Sequence, residues 1–151
     1  MMQPDIRKNV LAPRTKFRVS GNSMLPTIQP GDEVIVSPVD RQPLRPGDLV
    51  VISTGQSVYV HRFLYKTDQD YVTKGDNNHT PDPLWRQEVM KGLVLEVWRD
   101  NQCIYTRTPD SIKRNRLLAS KHRLTGFIWQ QLRRFKTIIT ALVMALLITS
   151  V

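Results

Sequence analysis

The stretch Phe17-Arg-Val-Ser-Gly-Asn-Ser-Met-Leu-Pro-Thr27, followed closely by Pro30-Gly-Asp-Glu-Val-Ile-Val36, decides how the rest of the chain reads. A β-branched run introduced by Pro-Gly-Asp signals a short strand, because Gly supplies a permissive backbone and Asp bonds nearby amides. The same turn recurs at Pro46-Gly-Asp48 and introduces Leu49-Val-Val-Ile52. Two copies are too few for a solenoid. Ser57-Val-Tyr-Val60 leads into His61, and Tyr71-Val-Thr73 leads into Lys74-Gly-Asp76. Gly92-Leu-Val-Leu-Glu-Val-Trp98 and Cys103-Ile-Tyr-Thr106 suit a hairpin around Arg99-Asp-Asn-Gln102. Short strands at this spacing predict a mainly β fold, an antiparallel sheet that is coiled or partly closed.

The pattern changes at Pro109. Asp110 or Ser111 is the expected helix cap, and beyond Ile112 there is no proline and only Gly126 as a breaker. Leu117, Leu118, Leu124, Ile128, Leu132 and Phe135 recur at roughly helical spacing among basic residues. The expected organisation is a basic arm over 1–16, a β domain over 17–108, and a basic amphipathic helix with a short hydrophobic segment over 109–151. The net charge of +9 is unevenly placed: residues 111–136 hold eight Lys/Arg and no acid, whereas residues 17–110 carry a net −2. A nucleic-acid binder would more often carry its charge on the folded domain, so no nucleic-acid partner is expected. Basic residues beside an apolar segment point to a lipid surface instead.

Thr137 to Val151 are fifteen residues without a charge, short of the roughly 20 that a membrane span needs. Snorkelling by Arg133, Arg134 and Lys136, with Phe127, Ile128 and Trp129 extending the apolar length, makes a single-pass C-terminal anchor the expectation. The alternative is a helix packed on the domain or on the bilayer surface. The same basic residues place the preceding domain on the cytoplasmic side of a spanning helix. Which side the domain occupies stays open at this stage.

The candidate chemistry lies at three points. Ser23 sits between Gly21, which permits an unusual backbone, and Pro26, which directs the chain out of the turn. The amides of Asn22 and Ser23 are then placed to bind an oxyanion. A serine attacks an amide only with a base to take its proton, and His61 at a strand end suits that task near neutral pH. A carboxylate that orients the imidazole would complete the set. Each residue alone reads equally well as a turn serine or a surface histidine. Cys103, the single cysteine, excludes a disulfide framework and reads as structural, because nothing nearby lowers a thiol pKa. His79 reads as an exposed loop residue, and no set of ligands spaced for a metal is visible.

Taken in order, Ser23-Met-Leu-Pro-Thr27, Pro30-Gly-Asp-Glu-Val-Ile-Val36, Gly47-Asp-Leu-Val-Val-Ile52, Val60-His-Arg-Phe63 and Val72-Thr-Lys-Gly-Asp-Asn-Asn78 resemble the type I signal peptidase family. His61 stands where the bacterial housekeeping enzymes carry a lysine, so the chain looks like the endoplasmic-reticulum and archaeal branch. The resemblance implies a signal-peptidase-like coiled β domain and a serine endopeptidase that cleaves signal or leader peptides next to small residues. It implies no cofactor. It carries Ser23 over as nucleophile, His61 as base and Asp82 as the orienting acid, with Asp76 as the alternative and otherwise a structural carboxylate. Met24 and Leu25 are expected to line the substrate groove. Lys74 matches a position beside the turn rather than that of the base.

Two features depart from the family. Ser20-Gly-Asn-Ser23 is one residue longer than the usual Ser-Gly-Ser, a spacing similar to that of the self-cleaving SOS-repressor domains, and it turns the expected oxyanion donors toward backbone amides. The membrane segment follows the domain rather than preceding it. The other readings are a maturation protease dedicated to one precursor, a self-cleaving regulator, and a non-catalytic peptidase-like module. The roughly sixteen residues ahead of the domain are too few for a helix-turn-helix.

Overall fold

The computed structural model describes residues 14–39 and 43–149, and of 130, 133–136 and 138–149 the backbone alone. Among the described residues seven strands form one antiparallel sheet. They are β1 (Thr15–Arg18), β2 (Glu33–Pro38), β3 (Leu49–Ser53), β4 (Val58–Lys66), β5 (Tyr71–Lys74), β6 (Met90–Arg99) and β7 (Gln102–Thr106). The α-helix α1 (Pro109–Thr149) follows. Thr15 pairs with Val36 and Lys16 with Ile35. These two residues of the expected arm are therefore part of the sheet, while residues 1–13 lie outside the described range.

The organising strand is β6. One of its edges pairs with β2 from Gly92 to Trp98. The other edge pairs first with β3, through Met90 to Leu93, and then with β7, through Glu96 to Arg99. Register shifts at Ile35/Val36, Val51/Ile52, Phe63/Tyr65 and Val97/Trp98 insert bulges, which bend and twist the sheet. The sheet therefore buries both faces. On β3, Leu49 and Val51 join Val34, Val60, Val94, Val97 and Met24 in one cluster. Val50 and Ile52 join Phe63, Met90 and Leu93 in the other. This explains why β3 reads as a continuous apolar run rather than an alternation.

The two Pro-Gly-Asp turns are built alike. Gly31 and Gly47 take φ of 95° and 99°, the left-handed region that glycine enters without steric cost. The carboxylate of Asp32 accepts from Gln29 N–H at 2.8 Å, and that of Asp48 from Arg45 N–H at 2.7 Å. Each buried carboxylate is then met by a distant arginine: Arg99 at the end of β6 reaches Asp32, and Arg107 just past β7 reaches Asp48. Hydrogen bonding from Arg99 outweighs burial and holds the Asp32 pKa below its ordinary value. The repeated tripeptide is thus a pair of sockets that tie the hairpin β6–β7 back to the two turns.

The cap of α1 is Thr108, not Asp110 or Ser111. Ser111 N–H donates to Thr108 Oγ1 at 3.3 Å, and Thr108 N–H to Ser111 Oγ at 2.8 Å, a reciprocal cap with Pro109 in the first helical position. The helix presents its small and polar face to the domain. Ser111, Asn115, Ala119 and Gly126 are buried, and Ala119 packs with Leu64 and Val72. Gly126 does not break the helix; it lets the backbone approach Pro81, which a Cβ would meet at 3.0 Å. Leu117, Leu124, Phe127, Ile128 and Leu132 point outward, with exposures of 46 to 74%. The apolar spacing is therefore not the face that packs on the domain. No helix among the described residues is long and apolar enough to cross a membrane, and the side chains of Arg133, Arg134 and Lys136 lie outside the described set.

Two glycine substitutions separate backbone strain from steric conflict. An added Cβ at Gly31 meets nothing within 4 Å, whereas at Gly47 it meets the Asn115 carbonyl carbon at 2.4 Å. Chemical denaturation should give a loss of about 1 kcal/mol for Gly31→Ala, from the positive φ alone. Gly47→Ala should cost several-fold more and loosen α1. Equal losses would mean that α1 does not rest on the second turn.

Candidate active site

Ser23 lies in the turn between β1 and β2, with Leu25 N–H donating to Asn22 O at 3.2 Å and Ile28 N–H to Met24 O at 3.0 Å. The Gly75-Asp-Asn-Asn78 turn supports it from below. Asn77 N–H donates to Ser23 O at 2.8 Å and the Asn77 side-chain amide to Asn22 O at 3.3 Å. A Cβ on Gly75 would stand 2.6 Å from Ser23 O, so the two turns are in contact through glycine. Among the described residues no backbone or side-chain acceptor meets the N–H groups of Asn22 and Ser23.

Strand alternation sorts the groups on β4 and β5. His61 and Tyr59 face the cleft, while Arg62 and Leu64 face α1. On β5 Thr73 takes the cleft side, and Val72 and Lys74 take the helix side. His61 Nδ1 lies 2.5 Å from Asp82 Oδ2, and Nε2 lies 3.0 Å from Ser23 Oγ. An ionised carboxylate only accepts, so Nδ1 is the donor to Asp82, and in the neutral imidazole Nε2 is the acceptor for the serine hydroxyl. The His61 and Asp82 side chains are 6% and 9% exposed, which keeps water from competing for this bond. Ser23, His61 and Asp82 are thus brought into one hydrogen-bonded line from three separate segments.

Asp76 sits elsewhere. Its carboxylate accepts from Arg62 Nε and Nη2 at 2.8 and 2.7 Å and from Thr27 Oγ1 at 2.5 Å, and it lies 3.3 Å from His122 Nε2. Burial alone would raise its pKa, but the bonds from Arg62, His122 and Thr27 hold it well below the carboxylate range. Asp76 is thus a buried anchor beneath the site, not a partner of His61. Lys74 is buried too, and its ammonium contacts His122 Nδ1 at 2.8 Å on the helix side, away from Ser23. Desolvation lowers its pKa, with Asp76 and Asp82 opposing.

A cleft of about 790 Å³ opens above the serine. Its lining includes Phe17, Val19, Met24, Val58, Tyr59 and Trp85 beside Ser23, His61 and Asp82. Met24 belongs to the core and shows the cleft only a small surface, being 1% exposed. Leu25 does not line the cleft, because the chain turns back after Met24 through the Leu25–Asn22 bond. Ser20 is on the cleft wall, whereas His79 is outside it, its ring 5.1 Å from that of Trp129. Cys103 is exposed on β7.

Residues 6–91, more than half of the chain, match the family described as Peptidase S24-like. The chain belongs to the S24-like peptidases. That membership places it in the clan that joins signal peptidases with self-cleaving repressor domains. A serine-peptidase type of chemistry is therefore the coarse assignment for this S24-like protein. No curated protein matches the chain.

Four further residues hold this constellation in place without having been read as functional: Thr27, Thr73, Trp85 and His122. Thr73 and Trp85 stand behind Asp82, while Thr27 and His122 hold Asp76. The strand pattern identified Thr73 only as a strand residue, and His122 lies far down the helix with no local signal.

Because the folded-state pKa of Asp76 is depressed, its contribution is present above its unfolded pKa and lost as pH falls. Unfolding free energy should thus begin to fall below about pH 4, the unfolded value of an aspartate. Asp76→Asn should lose about 3–5 kcal/mol at neutral pH, leaving Arg62 buried and unpaired, and should flatten this acid limb. An unchanged acid limb in pH-dependent denaturation would remove Asp76 from the role of anchor.

Proposed function

We propose that this protein is a serine endopeptidase that removes signal or leader segments from precursor proteins, in the manner of the endoplasmic-reticulum and archaeal type of signal peptidase. The observation that carries the reading is the line from Ser23 Oγ through His61 to Asp82, opening into an apolar cleft. In this mechanism Nε2 of His61 takes the Ser23 proton as Oγ attacks the scissile carbonyl. The amides of Asn22 and Ser23 receive the oxyanion, and such preorganised donors are worth several kcal/mol. The imidazolium then protonates the leaving amine, and water activated by His61 releases the acyl group.

The cleft suits an extended apolar peptide. β5 pairs with β4 only from Arg62 onward, so among the described residues Val58 to Val60 keep one edge unpaired along the cleft, facing the segment 17–22. A peptide strand laid there gains main-chain hydrogen bonds. The apolar walls accept the hydrophobic side chains of a leader segment.

The outward face of α1 supports work at a lipid surface. Leu117, Leu124, Ile128 and Leu132 form a row exposed to solvent, with Lys113 and Lys121 along the same face, Arg116 beside it and no acid from 111 to 136. An apolar row with cationic flanks matches an anionic bilayer in both terms of its binding energy. The occupant proposed for this face is the anionic lipid surface that also carries the precursor.

Purified full-length protein should cleave an apolar leader-peptide substrate. Ser23→Ala and His61→Ala should abolish turnover with the fold intact, and Asp82→Asn should cost about 10⁴-fold in kcat. Turnover retained by folded Ser23→Ala would defeat the assignment. Ser23-dependent fragments of the chain itself, without cleavage of the substrate, would favour self-cleavage instead. In a separate sedimentation assay, the protein should bind vesicles containing phosphatidylserine and lose that binding in Leu124→Glu/Ile128→Glu. Binding unaffected by those changes would sink the lipid-facing role of α1.

A further inference from the structure

Behind Asp82 the hydrogen bonds continue in one direction. Thr73 Oγ1 lies 2.6 Å from Asp82 Oδ2, the same oxygen that receives His61, and Trp85 Nε1 lies 2.9 Å from Thr73 Oγ1. An indole N–H only donates. It therefore occupies a lone pair of the Thr73 hydroxyl and leaves the hydroxyl proton to point at the carboxylate. Thr73 is fully buried, so no water substitutes for either bond. The backbone holds all three residues in place. Asp82 N–H donates to Thr73 O at 2.9 Å, and Tyr71 and Trp85 exchange backbone bonds at 2.8 and 3.0 Å. The loop from Gly75 to Trp85 is thus stitched back onto β5 at the point where its carboxylate must meet His61.

We infer that Thr73 and Trp85 are positioning residues for the proposed peptidase reaction, fixing the orientation of Asp82 and sharing its charge with His61. The inference rests on the serine-peptidase reading. Trp85 also lines the cleft, with its ring 6.5 Å from that of Tyr59, and the Tyr59 ring is 5.6 Å from His61. One indole therefore touches both the space for substrate and the bond system that orients the base.

The sign of the effect follows from charge sharing. A donor on Oδ2 draws negative charge away from the side facing the imidazole, so removing it binds the His61 proton more tightly and raises the pH at which the imidazole becomes a base. The other charged groups around this pair are Lys74, which feels both Asp82 and Asp76, Arg62, which is engaged by Asp76, and His122 between Lys74 and Asp76. Arg18 and His79 lie at the outer edge. The side-chain hydrogen bonds of Thr73 and Trp85 go to Asp82 and to each other, not to these groups.

The test uses the full chain, with the His61 imidazole titrated by nitrogen NMR and leader-peptide cleavage followed across pH. Thr73→Val should raise the His61 midpoint, move the acid limb of kcat/KM to the same higher pH, and lower kcat about tenfold, as expected for a lost bond to a charged group. Thr73→Ser should restore both. Trp85→Phe, which releases the hydroxyl to rotate, should shift the midpoint the same way by less. A wild-type midpoint in folded Thr73→Val or in Trp85→Phe would overturn the inference, and Trp85→Phe decides alone if the valine variant does not fold. The midpoint is read without substrate. A wild-type protein that cleaves nothing would therefore defeat the peptidase reading while the His61 titration still decides the positioning role.

Discussion

The interaction on which this structure turns is the buried pair of Arg62 and Asp76. Arg62 has no exposure at all, and its three bonds go to both oxygens of Asp76 and to Gly47 O at 2.9 Å. A guanidinium is costly to bury unless its donors are satisfied, and a fork that meets one carboxylate and one carbonyl meets that demand. In doing so it joins β4, the second Pro-Gly-Asp turn and the Gly75 turn at one point. Thr27 brings in the segment after Ser23 and His122 brings in α1. Five parts of the chain converge on one ion pair.

The pleat of β4 then connects this anchor to the chemistry. Arg62 is fixed on one face, so its neighbour His61 must face the other, where Ser23 and Asp82 arrive from different loops. The rigid pair and the reactive line are two sides of a single strand. The same division separates the carboxylates of the 75–85 segment. Asp76 takes the cation and is spent on structure, while Asp82, six residues later, takes an imidazole and a hydroxyl. Their neighbours, not their residue type, assign the roles.

The helix obeys a similar logic with the opposite outcome. A row of leucines on a basic helix is ordinarily the face that packs on the domain, because burying apolar surface stabilises by about 25 cal/mol per Å². Here the domain is met by Ser111, Asn115, Ala119, His122 and Gly126 instead. Close approach decides this: the Gly47 turn and Pro81 touch the helix backbone directly, which only small residues allow. The leucines are left exposed to solvent.

The sequence alone determined most of the strands, the two turns, the hairpin at Asp100 and Asn101, and the start of a helix near Pro109, because these depend on local backbone preference. It also supplied Ser23, His61 and both aspartates, through the order of short motifs. It did not determine which helix face packs, that Thr108 caps, or that Leu25 turns away from the cleft, since each depends on what stands opposite. Nor did it single out Thr73, Trp85 and His122, whose partners are 9, 12 and 46 or 48 residues away in the chain. Only the tertiary structure decided between Asp82 and Asp76 as the neighbour of His61. A carboxylate acquires its task from the donor it meets, and that donor comes from a strand the local sequence does not contain.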